Sequence, residues 1–172
     1  MTTTNEAAFN NNAPSDWVRL RTLINLRWLA ISGQCIAIAV AYYVLDLNLY
    51  LGLSVAAIGA SVIFNLAATF ILPENKRLSQ KETTFTLLFD LSQLVILLYL
   101  NGGLHNPFAV LILAPVTISA TVLQVNATLL VGGVALWAIS LLPFFYIPLQ
   151  LNSGASVELP QLFVAGYWVA LF

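Results

Sequence analysis

Between Trp28 and Leu45, and again between Leu49 and Leu72, the chain carries no charged side chain at all. A helix needs about 20 apolar residues to cross the hydrocarbon core of a bilayer, and these runs have that length. Further apolar blocks follow from Phe85 to Leu100, from Phe108 to Val125, from Ala127 to Leu149, and from Leu162 onward. Charged residues make up 8% of the 172 residues, where a soluble domain carries about 25%. Hydrocarbon is the natural solvent for such a chain, and the mean hydropathy of +0.90 agrees. The expected fold is all-α: a polytopic helical bundle of six transmembrane helices in a lipid bilayer. Its spans are expected near 28–45, 49–72, 83–101, 108–125, 127–149 and 162–172, the sixth truncated at Phe172. Residues 1–16 have no basic segment leading into a short apolar core, so they read as a disordered cytoplasmic leader and not as a signal peptide. Residues 17–172 then form one membrane domain.

Charge placement sets the orientation. Arg19, Arg21 and Arg27 precede the first span, and Lys76, Arg77 and Lys81 separate the second from the third. These are all six basic residues, and an even number of spans lies between the two groups. By the positive-inside rule both face the cytoplasm, in a bacterial inner membrane, with the N-terminus inside. The loops at Asp46, at 102–105 and at Gly154 then face outward. No basic surface is left over for nucleic acid. A single cysteine, Cys35, rules out a disulfide framework or a thiolate metal site within one chain. It sits beside Ser32, Gly33 and Ala39, small residues that let helices approach closely, and is expected to be packed between helices. Pro115, Pro143 and Pro148 predict kinks or early ends in the fourth and fifth spans.

Asp90 is the ionisable residue well inside a predicted span. Gln93, Leu97 and Asn101 follow it on a rough stripe, and the second span carries Ser61, Asn65 and Thr69 at strict four-residue spacing. Polar groups in hydrocarbon turn inward and find partners. Two readings stay open: interhelical hydrogen bonding alone, or a polar relay through Asp90 and Gln93 for protons or a ligand headgroup. Asp90 is expected to face other helices, bonded to Gln93 or to the second-span stripe.

The most specific string is Gly102-Gly-Leu-His-Asn-Pro-Phe108. Two glycines permit positive φ, and Pro107 fixes its own φ while pushing Asn106 towards an extended conformation. The side chain of Asn106 can both donate and accept, and Phe108 offers a flat apolar face at the lipid boundary. A quinone, with carbonyl acceptors on a flat ring and an apolar tail, suits such a place. A well-made hairpin between two spans would account for the same residues.

This heptapeptide resembles the GGxxNPF signature of the RegB/PrrB-type redox-sensing histidine kinases. The stretch Arg19-Leu-Arg-Thr-Leu-Ile-Asn-Leu-Arg-Trp-Leu-Ala-Ile-Ser-Gly-Gln34 is likewise similar to the start of that family's first helix. The resemblance implies a sensor of respiratory state, whose signature loop is associated with ubiquinone and whose membrane domain controls a cytoplasmic kinase domain and, through it, a response regulator. It also suggests a homodimer. By position, Gly102, Gly103, Asn106, Pro107 and Phe108 inherit the quinone-binding role. Leu104 and His105 fall at variable positions and inherit none, so Leu104→Ala is expected to matter little for quinone binding. The phospho-accepting histidine and ATP-binding domain of such kinases lie outside this chain, which is expected to hold no catalytic residue and no metal. The family's regulatory cysteine belongs to that outside part, so Cys35 is not its counterpart. The competing reading is a small membrane transporter or a membrane subunit of an electron-transfer complex. Haem binding would call for histidines within spans, and His105 is the single histidine.

Overall fold

The computed structural model describes residues 18–73, 76–151 and 160–171; the expected leader at 1–16 lies outside them. Six helices form a bundle: α1 (Leu20–Tyr43), α2 (Leu51–Ile71), α3 (Gln80–Leu100), α4 (Leu113–Val122), α5 (Val125–Leu141) and α6 (Gln161–Leu171). Helices α1, α2 and α3 are each long and apolar enough to cross a membrane; 108–122 and 125–141 are shorter apolar helical segments. The exposed side chains are largely Leu, Ile, Val, Phe and Trp, Trp28 and Trp137 among them, as suits a surface that meets lipid.

Two short antiparallel ladders tie the ends of the bundle. At one end β1 (Val18–Arg19) pairs with β3 (Arg77–Leu78), which brings the approach to α1 against the α2–α3 connection. At the other, β2 (Leu47–Asn48) pairs with β4 (Gln150–Leu151). Arg19, Lys76 and Arg77 therefore share one end, and the loop at 101–106 lies at the opposite end of α3. Arg27 is different. It lies seven residues into α1, about 10 Å at 1.5 Å per residue, and is buried.

Helix α3 is the hub, touching α2, α4 and α5. It opens on a capping box: the Ser79 hydroxyl accepts from the Glu82 N–H, and the Glu82 carboxylate accepts from the Ser79 N–H. Such a cap satisfies otherwise orphaned N–H groups and stabilises a helix start by about 1 kcal/mol. Leu87, Leu91 and Leu98 of α3 join Val131, Ala135 and Ile139 of α5 in the main core.

The prolines act as their chemistry requires. The fourth segment begins as a 3-10 turn over Pro107–Ile112 and becomes α-helical only at Leu113. This puts Pro115 in the first turn of α4, where a missing N–H costs nothing. The fifth helix ends at Leu141, shorter than the expected 127–149, because Pro143 cannot continue it. The chain from 142 to 149 instead folds back over the end of α3, with the Ile147 N–H donating to the Tyr99 carbonyl at 2.9 Å.

That returning segment explains the two glycines. Gly102 has φ +98° and Gly103 φ +58°. A Cβ on Gly103 would sit 2.8 Å from the Tyr146 Cβ and 3.1 Å from the Leu142 carbonyl oxygen. Gly103→Ala therefore combines left-handed backbone strain, about 1–2 kcal/mol, with overpacking. We expect a loss of about 3 kcal/mol, measured as reversible unfolding in detergent micelles; an unchanged midpoint would show that 142–149 yields freely.

Candidate functional site

The inward face of α1 recurs every three or four residues as Leu20, Leu23, Arg27, Ile31, Gln34, Ala37 and Ala41. Its polar members meet α3. The Arg27 guanidinium donates from Nε to Asp90 Oδ1 at 2.7 Å and from Nη2 to Oδ2 at 3.0 Å. This two-pronged match of planar guanidinium to carboxylate is the strongest ion-pair geometry side chains offer. The guanidinium carbon lies 4.5 Å from the centre of the Phe64 ring, and Phe64 stacks on Phe89 at 4.6 Å. The cation thus gains an aromatic face as well as a counter-ion.

Asp90 faces other helices as expected, but its partner corrects the sequence reading. Arg27 had been placed outside the membrane by the charge rule, and the partners expected for Asp90 were Gln93 or the Ser61/Asn65/Thr69 stripe. The position of Arg27 between Leu23 and Ile31 on one helical face was the available signal. About one turn along α3, Gln93 pairs instead with Gln34: each amide donates to the other's oxygen, at 3.0 and 3.1 Å. Further along, the Asn101 amide donates to Ser54 Oγ at 3.0 Å. Of the expected α2 stripe, Ser61 and Asn65 are buried, and Asn65 donates to the Ile24 carbonyl at 3.2 Å. Thr69 is exposed and its hydroxyl turns back on its own helix. Buried Ser61 Oγ has no hydrogen-bond partner. Cys35 departs from expectation as well. It is exposed, in a groove between α1 and α2 with Ala39 and Gly59, because the small residues of α1 fall on its outward face.

The signature loop divides into two parts. Gly102 and Gly103 are buried beneath 142–149, where they serve close packing. Asn106 spends its side chain on the loop itself: its amide donates to the Asn101 carbonyl at 2.8 Å, and its oxygen accepts from the Phe108 N–H at 2.9 Å. Pro107 starts the 3-10 turn. Leu104 is 0% exposed, within the main core, so its truncation bears on stability: a buried Leu→Ala cavity costs about 2–5 kcal/mol. The His105 ring lies 5.1 Å from that of Tyr146.

Asn106 and Phe108 line a narrow cleft with Gln34, Ala37 and Ala41 of α1 and Leu94, Leu97 and Asn101 of α3. Gly102 and Gly103 are not among its lining residues. The loop therefore contributes one amide and one aromatic face to a mostly apolar slot that Gln34 and Asn101 also line. A second, inner cavity is lined by Arg27, Asp90, Gln93, Ser61 and, again, Gln34. Among the described residues no group of three His, Cys, Asp or Glu side chains could hold a metal ion.

The pattern of PilS-like transmembrane domains matches residues 10–172. The chain belongs to this family. It is also 47% and 48% identical, over 166 residues and 96% of its length, to two curated proteins from Cereibacter sphaeroides, each named sensor histidine kinase RegB. The match covers 36% of each of those proteins, so the chain spans about a third of the length of the curated relatives. No solved structure matches. The chain is thus a multi-pass protein of the bacterial inner membrane, a six-helix membrane domain of the kind that RegB sensor histidine kinases carry.

The ion pair generates a prediction. Arg27→Ala leaves the Asp90 carboxylate inside the bundle without its cation, and breaking a buried pair typically costs about 3–5 kcal/mol. Asp90 keeps 24% exposure, so the lower end, about 3 kcal/mol, is expected. The double variant Arg27→Met with Asp90→Leu should recover most of it. Thermal unfolding in micelles measures both; equal losses in the single and double variants would show that the pair does not couple α1 to α3.

Proposed function

We propose that this chain is the input domain of a membrane-bound sensor histidine kinase and that the cleft beside Asn106 and Phe108 responds to the quinone pool, with ubiquinone as the ligand. The observation that carries the reading is the convergence of Phe108 and Asn106 on an apolar slot between α1 and α3. A flat ring can lie against the Phe108 face, and Leu94 and Leu97 give it apolar contact. The near-half identity to the RegB kinases supports the same assignment. The output is a cytoplasmic kinase domain beyond this chain, which phosphorylates a response regulator, in a homodimer. Gly102, Gly103 and Pro107 support this function by shape, fixing where Phe108 stands. Asp90 and Gln93 serve it from below the cleft, each bonded to α1.

The orientation that fits this role puts the N-terminus and Lys81 in the cytoplasm and His105 outside. A cysteine at position 81 should then be labelled only from the inside and one at position 105 only from the outside. Labelling of both from one side would overturn the topology.

The ligand reading is tested at Phe108. Phe108→Ala removes the aromatic face while leaving the 106–108 backbone bond available. An aromatic pair contributes about 0.5–1.5 kcal/mol beyond area burial, so binding of a short-tailed ubiquinone should weaken about two- to tenfold. Calorimetric titration of the chain in lipid nanodiscs measures this. Unchanged affinity in a folded Phe108→Ala variant would remove the quinone from this cleft. Asn106→Ala should weaken binding too, through loss of the turn that presents Phe108.

A further inference from the structure

The outer cleft and the inner cavity share Gln34 and Leu94 in their walls. What separates an apolar slot from a chamber holding Arg27, Asp90 and Ser61 is therefore the Gln34–Gln93 amide pair. The two amides are each 6% exposed and satisfy one another reciprocally. Such a pair is indifferent to its partner's identity: an amide N–H donates to a ring carbonyl as readily as to another amide oxygen. Opening the pair breaks both of its hydrogen bonds; a ring carbonyl replaces the one that Gln34 donates, at little net cost for that bond, and the Gln93 N–H must turn to another acceptor.

Geometry makes that exchange hard to avoid. The cleft has a volume of about 50 Å³, where pockets that enclose a drug-sized ligand have about 300 Å³ or more. A ring entering beside Phe108 must part α1 from α3 to be accommodated. From Ala41 near the loop to Gln34 at the inner wall is seven residues of α1, about 10 Å. At the bottom of that path the Gln34–Gln93 bond holds the two helices together, and the Arg27–Asp90 pair holds the same two helices further on, about two turns away along α1 and one along α3.

We propose that Gln34 is the inner ligand-reading residue of the cleft: a quinone carbonyl takes the Gln34 amide N–H in place of the Gln93 oxygen, so that occupancy opens the α1–α3 amide clamp. This rests on the quinone reading of the cleft given above. Ligand arrival is thereby converted into opening of the Gln34–Gln93 pair, while the Arg27–Asp90 pair still joins α1 to α3. Buried Ser61, whose hydroxyl lacks a partner within the inner cavity, lies where the released Gln93 amide can find a new one.

The test is a titration of the chain in lipid nanodiscs with a short-tailed ubiquinone carrying ¹³C at its carbonyls, followed by infrared difference spectroscopy. The variants are Gln34→Leu, the pair Gln34→Leu with Gln93→Leu, and Phe108→Ala. The double variant leaves no buried amide orphaned, so it keeps the fold should the single variant lose it. In the parent chain, bound quinone should show a carbonyl band lowered by hydrogen bonding. In the double variant that lowering should vanish and affinity should fall about two- to tenfold, the worth of one neutral hydrogen bond. If Phe108→Ala weakens binding while the double variant binds like the parent and keeps the lowered band, the clamp proposal fails and the cleft reading stands. If neither Phe108→Ala nor the double variant alters binding, both fail.

Discussion

Hydrocarbon offers no hydrogen bonds, so a polar group within the bundle is stabilised by finding its partner in the protein. The arrangement of the first three helices follows from this constraint. Arg27 meets Asp90, Gln34 meets Gln93, Ser54 meets Asn101, and Asn65 reaches the Ile24 carbonyl. Each bond joins one helix to another or to its cap, and three of the four end on α3 or on Asn101, which caps it. Interhelical hydrogen bonds in membranes are individually modest, about 0.6 kcal/mol on average. Four of them, spaced along the bundle, specify one rotation of each helix about its axis, which apolar packing between similar side chains does less well.

The same constraint explains what was legible in the sequence. The number of helices and their order are visible because lipid-facing surfaces must be apolar over a bilayer's thickness. The third span carries Asp90 and Gln93 inside it and Asn101 at its end. It is in fact the central helix, enclosed by α2, α4 and α5, and a helix surrounded by protein has less need of an apolar exterior. Helix ends at Leu141 and Leu113 were implicit in Pro143 and Pro115. The fold-back of 142–149 over α3 was not, since it depends on a long-range fit between Tyr146, Leu149 and two glycines.

The site was legible as a string and less so as a shape. Phe108 and Asn106 do meet a cleft, whereas Gly102 and Gly103 work on the other side of the loop as a seat for the returning chain. Leu104, unremarkable in the motif, is a core residue. Arg27 was hidden by its own context: Arg19, Arg21 and Arg27 read as one boundary cluster, yet Arg27 is buried on the inward face of α1. Gln34 was present in the matched first-helix stretch without any feature to single it out. Its importance depends on a partner 59 positions away, and no local pattern encodes that distance.

The Arg27–Asp90 pair also has an electrical consequence. A charge carried through the membrane field exchanges about 2.3 kcal/mol per 100 mV. Here a cation and an anion lie 2.7 Å apart within the bundle, so the unit is neutral seen from any distance. Moving the pair as a body, as when α1 and α3 tilt together, does almost no work against the field. Only separating the two charges along the membrane normal would do so. With Asp90 neutralised locally, transmembrane voltage has little purchase on this part of the domain.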